Sequence, residues 1–234
     1  MRRFYKTATA EQRADGTAVV LLDGKVLKTP AKQEMVLPGL ALARAIAAEW
    51  DAQGEQVRPL DMPMTRLAAT AIDRVAPDVP ATVAEIVRYG DTDLLSYRAE
   101  APPELAARQQ DVWQPLLDWF RDRYDIQLQT TTGIIAVSQP AGLRERLTQI
   151  CQSSDPLRLA ALQAATTGTG SVVIGLALLE GRLDAAAAHE AGLVDELYQA
   201  GAWGEDEEAA EKRAALRADL EDVWRFICLL NGGD

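Results

Sequence analysis

The sequence predicts an α+β protein in which a small antiparallel β-rich N-terminal domain precedes a larger, all-helical C-terminal domain. Three observations carry this. Residues 18–29 form two apolar runs joined by the hairpin dipeptide Asp23-Gly24. From Leu40 onward the apolar spacing changes to a helical one. After that, proline and glycine cut the chain mostly into helix-length segments.

In the first domain, residues 1–60, Ala18–Leu22 and Lys25–Thr29 are the hairpin strands and Thr29-Pro30 closes the second. Glu34–Leu37 offers another strand before Pro38-Gly39, and Arg3–Thr7 is expected to add one more. Leu42, Ile46 and Trp50 then fall at i, i+4 and i+8, so the domain ends in a helix.

Residues 61–234 make the helical domain. Thr65 opens a helix through Val75 that Pro77 stops, and a further helix runs over Pro80–Tyr89. Pro102-Pro103 starts a longer one with Leu105, Val112, Trp113, Leu116, Leu117 and Phe120 on one face; Pro115 inside it predicts a kink or two abutting helices. Ile126–Thr130 alternates like a strand and Ile134–Val137 offers another, so residues 126–137 are candidates to return to the N-terminal sheet. Helices are expected at Pro140–Gln152, Pro156–Thr166, Ser171–Leu179, Leu183–Gln199 and Asp206–Leu230. The last carries Leu216, Leu220, Val223, Trp224, Ile227 and Leu230 on one stripe, as a docked surface helix does.

Charge and composition exclude several functions. A net charge of -11 repels phosphate backbones, so nucleic acid is not an expected partner. The longest apolar stretch, Val172–Leu179, is too short to span a bilayer, and the basic start Met1–Lys6 has no apolar run behind it. Cys151 and Cys228 lie far apart with no metal-ligand spacing, which fits a reducing compartment. The expectation is a soluble protein with no cofactor.

Catalytic signals are sparse. His189 is the only histidine, so no imidazole cluster can form, and no Gly-x-Ser-x-Gly elbow is present. Thr166-Thr167-Gly168-Thr169-Gly170-Ser171 resembles a phosphate-cradling loop but lacks Gly-Lys-Ser/Thr, and its next glycine, Gly175, is wrongly spaced for a dinucleotide site. Small residues allowing a tight turn or close helix approach explain it better. The tryptophans say more, because large aromatics anchor interfaces. Trp113 and Trp224 lie on apolar stripes, Trp203 sits in Gly201-Ala202-Trp203-Gly204 with fewer reasons to be buried, and Trp50 is flanked by Glu49 and Asp51.

Several phrases together resemble a known family. Asp23–Ala31 leads into Leu42–Gln53, then Met62–Ala68 and Thr70–Asp73; Leu94–Arg98, Trp113–Leu117, Leu176–Leu183 and Trp203–Ala209 follow in order. The chain is similar to the assembly chaperones of the F1 sector of ATP synthase that bind the free alpha subunit. It departs from that pattern at 194–204, where Gly201, like Gly192 just before it, is a poor helix former.

The resemblance implies a β-rich domain joined to a helical one, no enzymatic activity, and one partner, the free alpha subunit, held from self-association until F1 assembles. A protein monomeric when free is expected, in a bacterial cytoplasm, which the absence of a presequence favours, or in a mitochondrial matrix. Expected partner-binding residues are Glu196, Trp203, Tyr198, Trp50 and Asp51. Trp50 is also expected to anchor the first helix against the β-rich domain. The rival readings are a small-metabolite or nucleotide-binding enzyme on the helical domain, and a constitutive subunit of a larger assembly.

Overall fold

The computed structural model describes residues 2–133 and 136–232. The chain divides into two compact units, Met1–Val79 with Asp155–Ala161 and Arg225–Asp234, and Pro80–Ser154 with Leu162–Trp224. The expected boundary at residue 60 therefore stops short. The turns as far as Val79 and two segments from late in the chain cluster with the sheet.

In the first unit, β1 (Ala8–Gln12) pairs antiparallel with β2 (Ala18–Leu22); β3 (Lys25–Val26) and β4 (Val36–Leu37) pair antiparallel with β2. Strand β2 is the hub, and Ala18, Val19 and Val20 are buried although they alternate faces, which is why the run is apolar throughout. Asp23 and Gly24 both take positive φ, 49° and 78°, the backbone a two-residue hairpin requires. The expected strand at Arg3–Thr7 does not form. The Asp23 carboxylate accepts from the Lys6 and Thr7 backbone N–H groups at 3.0 and 2.9 Å, so a side chain takes the donors that a ladder would have used.

Helix α1 (Leu40–Asp51) packs on β1 and β2 through Leu42, Ile46 and Trp50, the residues its period selects. Glu49 accepts from Met64 N, Thr65 N and Thr65 Oγ1 at 2.7, 2.8 and 2.7 Å, which satisfies the free donors at the start of α2 (Pro63–Thr70). Burial pushes its carboxyl above the usual range. The chain continues through a π turn, Ala71–Val75, and a 3₁₀ turn, Ala76–Asp78. Asp73 in the π turn accepts from Thr29 Oγ1 and, at 2.9 Å, from Ala31 N, tying down the turn after β3.

The second unit begins with α3 (Val79–Tyr89). Next come β5 (Tyr97–Arg98), α4 (Pro103–Tyr124) and β6 (Thr131–Thr132), the last parallel to β5. Residues 126–133 thus do not return to the N-terminal sheet. The backbone N–H and C=O of Gln129 are met instead by the Gln139 side-chain amide at 2.9 and 3.1 Å, a substitute for a neighbouring strand. The expected strand at Ile134–Val137 includes Ile134 and Ile135, which lie outside the described residues.

Helix α4 is a single helix continuing through Pro115, so the expected alternative of two abutting helices does not hold. Pro115 and Asp111, whose carbonyl loses its intrahelical donor, are both exposed, so water can serve that carbonyl.

The rest is α5 (Leu143–Gln152), α6 (Pro156–Thr169), α7 (Val172–Leu179), α8 (Ala185–Gly192), α9 (Val194–Trp203) and α10 (Glu207–Leu230). Every residue of α7 is buried. Asp93, fully buried, accepts from Ser171 Oγ and Val173 N at 2.8 and 3.2 Å at its start. The glycine-rich phrase serves close approach: a Cβ on Gly168 would lie 2.9 Å from Leu216 Cδ1, and one on Gly175 would lie 2.4 Å from Thr166 Oγ1. The single helix expected over Leu183–Gln199 is two, because Gly192 ends α8 against Thr169, where a Cβ would come within 3.2 Å. None of the described helices is long and apolar enough to cross a membrane.

Candidate functional site

The residues expected to bind a partner fall in different units: Trp50 and Asp51 in the first, Glu196, Tyr198 and Trp203 in the second. Each unit presents its own candidate surface.

In the second unit, α9 is pinned at its start. Gln109 of α4, fully buried, donates from Nε2 to Asp195 Oδ1 at 2.6 Å and accepts from Ala99 N at 2.7 Å. The Trp113 indole donates to Ala191 O at 2.7 Å, and Arg98, 5.3 Å from the Trp113 ring centroid, donates to the Gln109 carbonyl at 2.8 Å. Trp113 therefore holds the α8–α9 junction from inside and is not an exposed anchor.

The outward face of α9 is different. Seven residues turn a helix almost two full turns, so Glu196 and Trp203 share a face about 10 Å apart along the axis. Glu196 is exposed, Tyr198 is half-buried on another side, and Trp203 is 77% exposed at the helix end before Gly204 (φ 94°). Residues 195–208 hold Asp195, Glu196, Glu205, Asp206, Glu207 and Glu208 and no basic side chain. Arg213 pairs with Glu205 at 2.7 Å and Lys212 with Glu208 at 2.7 Å, which leaves much of the acidic charge of this stretch unpaired by a cation. An exposed aromatic in an acidic rim fits an apolar, basic surface on another protein. His189 Nε2 lies 3.1 Å from the Arg213 carbonyl, a packing role.

In the first unit, Trp50 is 8% exposed, as its anchoring role requires, and its carbonyl accepts from the Tyr5 hydroxyl at 2.6 Å. Its indole N–H has no acceptor among the described residues. Asp51 is exposed, and its carbonyl accepts from Arg3 Nη1 at 3.1 Å. Trp50 also lines an apolar cleft of about 790 Å³, with Tyr5, Leu27, Met35, Val57 and Met62 as buried lining and Phe4, Lys25, Lys28 and Arg66 as exposed lining. These residues come from five separate stretches of chain. No motif announced the cleft; Phe4 amid Arg2, Arg3 and Lys6 was the only local signal. Among the described residues, no group of three histidine, cysteine or carboxylate side chains converges to hold a metal ion.

A small β sheet followed by a helical region, with an exposed aromatic among charged groups in each unit, is the arrangement to set beside known proteins. Residues 2–121 match the family described as ATP12 chaperone protein. Atp12 from Paracoccus denitrificans is 43% identical over 98% of both chains, with a TM-score of 0.92. A variant of the P. denitrificans protein with one aspartate changed to lysine is 42% identical, covering 98% of this chain and 97% of that one, also at 0.92. A candidate chaperone from Agrobacterium tumefaciens is 40% identical over 97% of this chain and 84% of its own, at 0.88. The chain belongs to the ATP12 chaperone family.

Proposed function

We propose that this chaperone binds the free alpha subunit of the ATP synthase F1 sector and keeps it from self-associating until F1 assembles. The observation that carries the reading is Trp203, 77% exposed on the same helical face as Glu196 and within a stretch of chain rich in acidic residues, an arrangement suited to gripping another protein. A binder of this kind lowers the concentration of an aggregation-prone species by mass action, with no bond made or broken. Moderate affinity suffices, because the larger native interface with the beta subunit can displace it. In this reading the chain acts as a monomer in the compartment where F1 is assembled, a bacterial cytoplasm or a mitochondrial matrix.

Co-expression of the tagged chain with alpha or beta subunit alone, followed by pull-down, tests it. Alpha is expected to be captured and beta and assembled F1 to be left behind, since a surface hidden by assembly is what the chaperone must read. Equal capture of alpha and beta overturns the specificity.

A further inference from the structure

We propose that the cleft of the first unit is a second docking site, for an extended, apolar and acidic segment of a client polypeptide. The inference rests on the reading of the chain as a client-binding chaperone, and goes beyond it by naming a site and the chemistry it takes.

The cleft's size, about 790 Å³, lies within the range of ligand-binding cavities. Its lining is mostly apolar, whereas its charged rim is cationic. Lys25, Lys28 and Arg66 line it, and among the described residues no carboxylate lies within ion-pairing distance of any of the three. The one acidic lining residue, Asp23, is already engaged by Lys6 N, Thr7 N and Thr7 Oγ1. In a chain of net charge -11, three free cations around one apolar cleft select an occupant with carboxylates, the reverse of what the acidic α9 surface selects.

The occupant's length follows from what lies around the cleft. Phe4 on its wall is 65% exposed, and Leu60, next to the lining Pro59, is 80% exposed. A small amphiphile filling the cavity would leave Leu60 uncovered. An extended chain continuing past Pro59 covers both.

The full chain, ¹⁵N-labelled, is titrated with two blocked ten-residue peptides of alternating aliphatic and charged residues, one with aspartates and one with lysines, and separately with dodecanoate. The readout is the Trp50 indole resonance, assigned with Trp50→Phe. The aspartate peptide is expected to shift it saturably and to bind at least tenfold more tightly than the lysine peptide. Phe4→Ser and the double variant Lys25→Glu/Lys28→Glu, all at exposed positions, are expected to weaken that binding at least tenfold while the other four indole resonances stay in place. No saturable shift, or equal affinity for both peptides, overturns the proposal. Saturation by dodecanoate with no response to peptide puts a small amphiphile in the cleft and overturns it as well. The peptide titration needs no alpha subunit, so a chain that binds the aspartate peptide yet captures beta as well as alpha leaves the cleft standing and removes only the proposed client.

Discussion

The Gln109 side chain donates to Asp195 at 2.6 Å from a position with no solvent exposure, so the first turn of α9 is fixed to α4 by a buried amide. The same amide oxygen takes the Ala99 N–H at 2.7 Å, and both ends of the side chain are used. Gln109→Leu keeps much of the volume but strands a carboxylate and a backbone donor. Urea unfolding is expected to show a loss of roughly 2 kcal/mol, the cost of leaving such groups unpaired. Loss under 0.5 kcal/mol means water replaces the amide. Because α9 carries Glu196 and Trp203, weaker client capture by this variant at full folding would mark Gln109 as a positioning residue.

Trp50 gives the clearest stability test. It is 8% exposed between α1 and the sheet, with the Tyr5 ring edge-on at a centroid distance of 5.5 Å. Trp50→Arg removes that packing and inserts a cation, at an expected cost of roughly 3 kcal/mol or more, read as a lowered Tm. Trp50→Phe is expected to cost less than half as much, because the deleted indole N–H had no acceptor to lose. A Trp50→Arg protein that melts like wild type while failing to hold client would move Trp50 from core to interface.

Asp93 predicts a pH dependence. Its complete burial pushes the carboxyl from 3.8 up to about 6, against the opposing pull of donors from Leu95 N, Ser171 and Val173 N. A carboxyl that holds its proton more tightly when folded stabilises the fold fully below pH about 4, and that contribution fades as pH rises to about 6. At about 1.4 kcal/mol for each pH unit between the two values, the fade is roughly 3 kcal/mol. Other carboxylates titrate in the same window, so the measurement is the difference between wild type and Asp93→Asn. Denaturation profiles at pH 4 and pH 6.5 are expected to be flatter for the variant, and parallel profiles would mean that Asp93 stays ionised throughout.

What could be read from the sequence followed the range of the interaction responsible. The β2–β3 hairpin and the buried stripe of α1 rest on neighbours within a few residues, and both were legible. The strand expected at Arg3–Thr7 failed because Asp23, some sixteen residues away, takes its donors. Residues 126–130 failed because a glutamine side chain ten residues on does the work of a strand. The break between α8 and α9 was half legible: Gly192 is a poor helix former on sight, but the Thr169 side chain that demands a glycine there belongs to α6. Trp203 stood out locally because two glycines flank its turn. The cleft could not stand out, since its cations and its apolar lining come from segments up to some sixty residues apart.

Glu196 and Trp203 supply the last prediction, which separates a grip on a client from an idle patch of surface. Both lie on the same side of α9, the carboxylate exposed and the indole 77% exposed, and among the described residues neither makes a hydrogen bond or ion pair whose loss would harm the fold. Exposed helix positions of this kind tolerate replacement within about 0.5 kcal/mol, so Glu196→Lys and Trp203→Ser should melt with wild type. If the face is a contact, Trp203→Ser removes the apolar anchor and should weaken client capture by tenfold or more, while Glu196→Lys reverses a rim charge and should act mainly on the association rate, most strongly at low salt. The two should combine less than additively, as neighbours in one contact do. The measurement is the soluble fraction of co-expressed alpha subunit, with binding kinetics at two ionic strengths. Full protection of the client by both variants would remove α9 from the contact.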